Sequence, residues 1–460
     1  MSDIVFVYPP YSFAQKKGRF LAKFSVSPPL GLLYLASALE KMGIEVDLID
    51  AMAVPLTLDD ISRRIEAEEP RIVGISATTP QTQGSVQLAM RLRSVLGDRV
   101  IIGLGGPHIT ADPDFIRRLP YFDFGFVGEG EATFPTVVKS MLDRIIPKKG
   151  VLLRGKTVDD LDDIPFPARH LLEESVYGEA GKRFAPILAS RGCPYNCIFC
   201  SKPVAGMSVR YRSPENVVDE IESIGEKYFV FVDDTFTTNR KVVLRLCQEI
   251  MRRKLDIEWV CETRVDLVDK TLLDTMSKAG CKRIEFGIES GSERVRTTIV
   301  RKNFTNEQIM RTFSLCRETG IRTAAYLMLG FPSETREEMR QTVEIGSEIG
   351  ADYIGVHLTI PMPGSDLYAL ATQEGRIPED VWDKYARGEL GDEQPVYVPE
   401  DLSLEEMRNA QKDAYRRFYF GMQFLIKRVA HDVLSPREFM SDAIIALSLL
   451  KHGRTATGRP

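Results

Sequence analysis

The chain has 460 residues, more than one hydrophobic core usually supports, so two or three domains are expected. Its 43% apolar and 27% charged residues are those of an ordinary soluble globular protein, and a net charge of -5 gives no general reason to expect nucleic acid or anionic lipid as a partner. No stretch approaches the ~20 apolar residues of a membrane span, and the amino-terminal MSDIVFVYPP lacks the basic region of a signal peptide, so a cytoplasmic protein is expected.

Taken in chain order, Ile4–Tyr8 reads as a buried strand and Leu30–Met42 as a helix with Leu32, Leu35, Ala36 and Leu39 on one face. Glu45–Ile49 is a second strand, Asp59–Glu69 a helix, Ile72–Ser76 a strand and Val86–Leu96 a helix. Val100–Leu104 and Phe124–Val127 complete the series. Strands alternating with helices at this spacing imply a doubly wound parallel sheet, assigned to residues 1–147. Residues 148–185 break the alternation: VDDLDDIPFPARH is acidic, carries two prolines and reads as a connector.

The alternation resumes at Ile187–Ala189, Phe229–Val232, Ile257–Val260, Ile284–Ile288, Thr323–Leu329 and Tyr353–Leu358. Six strands with intervening helices over residues 186–375 suit a partial parallel (β/α)6 barrel of the TIM type, although periodicity alone does not exclude a flat sheet. Residues 376–460 read as a helical region. Ser403-Leu404-Glu405-Glu406 has the spacing of a capping box, and Met407, Ala410, Ala414, Phe418, Met422 and Leu425 repeat at helical spacing. The terminal KHGRTATGRP reads as frayed.

Of seven cysteines, Cys193, Cys197 and Cys200 fall within eight residues, in Arg191-Gly192-Cys193-Pro194-Tyr195-Asn196-Cys197-Ile198-Phe199-Cys200. Cys247, Cys261, Cys281 and Cys316 are scattered singly among apolar neighbours, a pattern of buried fillers rather than a disulfide framework. Three thiolates in one loop can hold three irons of a cubane cluster and leave the fourth open. Structural zinc would normally be closed by a fourth Cys or His, and none lies nearby: the nearest His is His170 and the next Cys is Cys247.

CxxxCxxC at the end of the first of six strands, with aromatic Phe199 before the last Cys, resembles the radical S-adenosylmethionine (SAM) superfamily. The resemblance implies a [4Fe–4S] cluster on Cys193, Cys197 and Cys200. It also implies SAM chelated to the open iron and reductive cleavage to a 5′-deoxyadenosyl radical, with an external donor such as flavodoxin or ferredoxin. SAM contacts are then expected at the carboxyl ends of the strands. The candidates are Phe199 in the cysteine motif itself, Asp233 and Asp234 after the second strand, Arg264 after the third, Glu289 and Ser290 after the fourth, and Gly330 after the fifth. Each also has a plainer reading: an Asp-Asp pair as a helix cap, Arg264 as an ion-pair residue.

The first domain resembles the cobalamin-binding domain fused to many radical SAM enzymes. The matching pieces are Pro28-Pro29-Leu30-Gly31-Leu32, Val73-Gly74-Ile75-Ser76-Ala77-Thr78-Thr79, Gly105-Gly106-Pro107-His108-Ile109-Thr110 and Val127-Gly128-Glu129-Gly130-Glu131. Possible cobalamin contacts are therefore Ser76, Thr78, Gly105, Gly106, His108, Gly128 and Glu129; the alternative is tight turns in a sheet that only packs on the barrel. The Asp-x-His-x-x-Gly motif that supplies an axial histidine in some cobalamin proteins is absent, Tyr8-Pro9-Pro10-Tyr11 standing in the corresponding loop. A bound cobalamin would lack a histidine ligand from the protein.

The domain order resembles the methyltransferase and ring-cyclase branches, and Tyr415-Arg416-Arg417-Phe418-Tyr419 is similar to the anaerobic magnesium-protoporphyrin ester cyclase group. The leading expectation is cobalamin-dependent methylation of an unactivated carbon of a small molecule. The alternatives are a radical cyclase, oxidase or rearrangement enzyme without methyl transfer, and a non-catalytic cobalamin or SAM sensor. A transfer-RNA methylthiotransferase would carry further cluster cysteines upstream, and there is none before Cys193. Tyr326, Tyr353 and His357 are placed either in the barrel interior or in a packed core, and no local pattern marks the substrate.

Overall fold

A computed structural model describes residues 2–12, 25–145, 148–173, 177–179, 183–391, 393–421 and 424. Six parallel strands form the first sheet: β1 (Ile4–Tyr8), β2 (Val46–Asp50), β3 (Ile72–Ser76), β4 (Ile101–Gly105), β5 (Phe124–Val127) and β6 (Val151–Arg154), in the order β2-β1-β3-β4-β5-β6. The first five match the expected series to within a residue or so. β6 pairs with β5 from Phe124↔Val151 to Val127↔Arg154, so the sheet takes four residues from the segment read as connector. Its pattern VLLR is too short to carry a period, and only pairing reveals it.

Helices cover both faces because both faces of the strands are apolar. Val5, Val7, Val73 and Ile75 pack with the helix Thr82–Leu96, while Ile4 and Phe6 pack with the helices Leu30–Glu40 and Phe134–Leu142. The strand order reverses between β1 and β3, the switch point at whose carboxyl side open α/β sheets bind ligands.

The second sheet runs in sequential order from β7 (Ala185–Ile187) through β10 (Tyr228–Phe231), β11 (Glu258–Thr263), β12 (Cys281–Glu289) and β13 (Arg322–Leu329) to β14 (Tyr353–Leu358), every pair parallel. Between β7 and β10 a short antiparallel ribbon joins β8 (Ser190–Arg191) to β9 (Arg210–Tyr211). Ile284, Phe286 and Ile288 of β12 face the surrounding helices, Phe286 meeting Phe313 at 5.3 Å between ring centres. Arg283, Glu285, Gly287 and Glu289 therefore face inward. Cys247, Cys261, Cys281 and Cys316 are buried fillers, as their surroundings in the chain suggested.

β14 is a sheet edge, and the helix Leu404–Tyr419 covers it. Ser403 closes the anticipated capping box on Glu406. Tyr415 Oη accepts from Val356 N at 2.9 Å, and Gln411 Nε2 donates to the Val356 carbonyl at 2.7 Å. An edge strand so satisfied offers no backbone to another chain. Ahead of this helix, Val381–Ala386 packs on Thr82–Leu96 of the first domain: Tyr385 Oη donates to the Pro80 carbonyl at 3.0 Å and Arg118 pairs with Asp383 at 2.6 Å. Met422, Leu425 and the terminal KHGRTATGRP lie outside the described residues. No described helix is long and apolar enough to cross a membrane.

Candidate active site between the two sheets

The three clustered cysteines lie on a loop whose base is the β8–β9 ribbon. Cys193 N donates to the Gly206 carbonyl at 3.0 Å, which closes the loop behind all three thiols. Gly192 stands at φ +100, and a Cβ there would lie 2.2 Å from the Ser208 carbonyl oxygen, so the turn into the loop admits only glycine. Cys197 is buried and Cys193 and Cys200 are half-buried. Burial pushes the Cys200 thiol up to about 11 and raises that of Cys197; Lys302, Arg264 and Lys202 oppose this with positive charge. Among the described residues no three His, Cys, Asp or Glu side chains converge on one metal ion. A cubane cluster needs no such convergence, because each thiolate takes its own iron. With no fourth ligand among the described residues, the donor set fits a cluster that keeps one open site.

The strand ends around this loop divide into groups that hold it and groups that face it. Asp233 is buried, its carboxylate accepting from Ser190 Oγ at 2.5 Å and Ala189 N at 3.2 Å, which ties the end of β10 to the ribbon; burial raises its pKa to about 6. Asp234 is exposed. Ser290 is fully buried and shares hydrogen bonds with Thr342 and Ser292. Glu289, at φ +67 beside a register shift of β12, forms a buried ion pair with Lys302 at 2.8 Å. Gly330 turns at φ +92 against Met407. Phe199 lies 6.1 Å from Phe331, so the aromatic residue of the cysteine loop meets the turn after β13.

Arg264 takes the plainer of its two readings, an ion-pair residue. Its guanidinium chelates Asp266 at 2.9 and 2.8 Å and stacks 3.9 Å over the Tyr195 ring, yet its Nη1 is buried without a partner among the described residues. Ser201 Oγ and Glu334 Oε1 are likewise buried and unpartnered. Buried polar atoms in this state are costly unless a ligand satisfies them. One cationic donor, one hydroxyl and one carboxyl oxygen around the cysteine loop fit a zwitterionic, hydroxylated ligand such as SAM.

Inside the barrel, Tyr326 Oη donates to Glu285 Oε2 at 2.5 Å, Arg283 pairs with Glu285 at 2.9 Å, and the Tyr326 and His357 rings lie 6.0 Å apart. These residues and Tyr353 are only half-buried. Closed barrels of this type are packed with branched apolar side chains; this lumen is polar and partly open.

On the facing sheet, the turn after β4 enters the helix Pro107–Ala111, which packs against Lys202–Ala205 at the return of the cysteine loop. The carboxyl edges of the two sheets therefore face each other. Gly106 sits at φ +95 where a Cβ would meet Ser76 Oγ at 2.7 Å, and Gly105 opens onto clear space. Gly128, at φ +84, donates its N–H to Thr110 Oγ1 at 3.1 Å. This glycine-lined edge, on the β4 and β5 side of the switch point, fits a broad, flat ligand. Thr78 is engaged with Gln81 in a capping box. His108 is wholly buried, edge-on to Phe115 at 4.3 Å, with Nδ1 3.2 Å from Thr79 Oγ1; burial lowers its pKa to about 3. It is a fully buried group, and its Nε2 has no hydrogen-bond partner among the described residues. Glu129 has both oxygens committed to Arg210 and the Val158 N–H. Lys302, Asp266, Glu334 and Thr235 (3.5 Å from Cys193 Sγ) carried no motif of their own and are recognised only by their contacts in the folded chain.

The match to known proteins follows the same division. Residues 187–345 match the model of the radical SAM superfamily, and residues 24–138 match the B12 binding domain. The chain is 32% identical over 445 residues to an uncharacterized methyltransferase of Pyrococcus horikoshii, covering 93% of this chain and 94% of that one. It is 30% identical over 425 residues to the anaerobic magnesium-protoporphyrin IX monomethyl ester cyclase of Rubrivivax gelatinosus, covering 86% and 75%. Its fold is similar to that of the radical SAM methyltransferase TsrM from Kitasatospora setae, at a TM-score of 0.66 and 18% identity, over 91% of this chain and 82% of that one. The chain belongs to the radical SAM superfamily, in the branch whose members carry a B12 binding domain ahead of the radical SAM domain.

Proposed function

We propose that this enzyme is a cobalamin-dependent radical SAM methyltransferase acting on an unactivated carbon of a small molecule. The observation that carries the reading is the juxtaposition of the two carboxyl edges, which sets the glycine-lined edge of the B12 binding domain opposite the loop with three thiols and no fourth ligand. A relative named as a methyltransferase over nearly its whole length supports it, as does the fold shared with a methyltransferase whose structure is described with cobalamin and a [4Fe–4S] cluster bound.

When bound, the cluster and SAM supply the radical that removes hydrogen from substrate, and cobalamin supplies the methyl group. The protein's part is placement. Cys193, Cys197 and Cys200 hold the cluster. Phe199, Arg264, the Gly330 turn and Glu289 with its Lys302 partner border the SAM site, while Asp233 and Ser290 brace it. Ser76, Gly105, Gly106 and Gly128 border the corrin, with Thr78 and His108 supporting their loops. The polar lumen around Glu285, Tyr326 and His357 suits a hydrogen-bonding substrate. The working division is a B12 domain at 1–147 extended by β6, a connector to 185, a barrel at 186–375 and a helical region at 376–460. The electron comes from an external low-potential donor.

The test needs no substrate. Protein reconstituted anaerobically with iron, sulfide and cobalamin is reduced in the presence of SAM carrying a deuterated methyl group. Label arriving on the corrin, with equimolar S-adenosylhomocysteine, is the expected result. Formation of 5′-deoxyadenosine without label transfer identifies instead a cyclase or rearrangement enzyme, the reading that the Rubrivivax relative favours. No SAM cleavage at all identifies a sensor.

A further inference from the structure

Arg191 and Arg210 stand directly opposite each other in the β8–β9 ribbon. Like charges in that position destabilise a strand pair unless an anion lies between them. Two anions do, and both come from the other domain. Arg210 Nη1 donates to Glu129 Oε2 at 3.0 Å and its Nη2 to Glu129 Oε1. Arg191 Nη2 donates to Glu131 Oε1 at 2.6 Å, and its Nη1 lies 3.5 Å from Glu129 Oε2. All four side chains are mostly buried, the most open, Glu129, being 23% exposed. Water screens such pairs far less than surface pairs.

Both ends of this clasp are rigid. The carboxylates follow β5 on a loop where Gly128 is bonded to Thr110 and a Cβ at Gly130 would meet Leu35 at 2.5 Å. The arginines lie on the ribbon that forms the base of the cysteine loop, Arg191 two residues before Cys193. Arg191 also stacks 5.4 Å over Tyr34 of the first domain. Few freely rotating bonds separate the B12 edge from the cysteine loop along this path.

We propose that Glu129, Glu131, Arg191 and Arg210 form a pin that sets the spacing between the corrin-binding edge and the cysteine loop. They are positioning residues for methyl transfer, not for SAM cleavage. The consequence for methyl transfer rests on the function proposed above; the pin itself does not.

The test uses the full chain, reconstituted with cluster and cobalamin, and compares wild type with Arg210→Met, Glu129→Gln and the exchanged pair Arg210→Glu/Glu129→Arg. Hydrogen exchange is read at Pro107–Ala111 and Lys202–Ala205, together with iron content, the paramagnetic relaxation of cob(II)alamin beside the reduced cluster, and the ratio of S-adenosylhomocysteine to 5′-deoxyadenosine. In Arg210→Met the iron content and deoxyadenosine formation should persist. Seam exchange should rise about tenfold, the cluster-enhanced relaxation should fall, and so should the product ratio. The exchanged pair should restore wild-type seam exchange. Unchanged seam exchange in Arg210→Met, or no recovery in the exchanged pair, overturns the pin. If wild type binds no cobalamin, the proposed function fails while seam exchange still decides the pin.

Discussion

At the scale of single residues, buried ionisable groups define what the barrel mouth tolerates. Glu334 accepts from the N–H groups of Gly330 at 2.5 Å and Phe331 at 3.1 Å, while its other oxygen has no partner among the described residues. Burial raises its carboxyl to about 7. A carboxyl whose folded pKa exceeds its unfolded value contributes stability in full below the unfolded value, and that stability is lost as pH rises through about 7. Glu334→Gln keeps an acceptor for the turn and removes the titration. Its stability relative to wild type should therefore rise by on the order of 1–3 kcal/mol between about pH 5 and about pH 8, read from denaturant midpoints. A difference independent of pH would show that Glu334 does not titrate in this range. Asp233 and Asp50, each raised to about 6 by burial, weaken the fold in the same direction and are present in both proteins.

At the scale of elements, the ribbon β8–β9 does more than its four residues suggest. It closes the cysteine loop, receives Asp233 from β10 and carries both arginines of the interdomain clasp. Gly192 is its weak point. Alanine there would take a left-handed conformation costing about 1–2 kcal/mol and would also drive a Cβ against the Ser208 carbonyl. Gly192→Ala should fold, since the core of the barrel is remote from it, but hold less than half the wild-type iron after reconstitution. Full iron loading would show that the loop tolerates a shifted ribbon. The thiols themselves were plain in the chain at x3 and x2 spacing. The ribbon was not, because two residues paired across 18 positions leave no periodic trace.

At the scale of the whole molecule, the carboxyl-terminal region joins what the connector separates. Tyr385 bonds Pro80 and lies edge-on to Trp382 at 5.5 Å, and Ala386 is buried within the first domain's core. The chain has two tryptophans, Trp382 at this junction and Trp259 in the barrel core. Tyr385→Ala should cost about 3 kcal/mol or more and uncouple the domains. In urea the fluorescence transition should then no longer coincide with the far-UV dichroism transition. A single coincident transition at lower midpoint would show that other contacts keep the domains cooperative.

Local features were legible in the chain: five barrel strands, five strands of the first sheet, the Ser403 cap and the cysteine spacing, because each is written within a few neighbouring residues as period, turn chemistry or motif. The first barrel strand, expected at Ile187–Ala189, lies two residues earlier at Ala185–Ile187. The chain also marked the strand ends as the place of chemistry, since parallel sheets leave only that edge open. What each strand-end residue does depends on contacts that the fold alone brings together. Asp233 and Glu129 look alike in the chain as acids after a strand, yet one braces the cysteine loop and the other clasps the opposite domain. His108, the first domain's one histidine before the connector, is turned into the core. The partners that settle these roles lie tens of residues away, at separations that carry no periodicity, so only the folded chain brings them together.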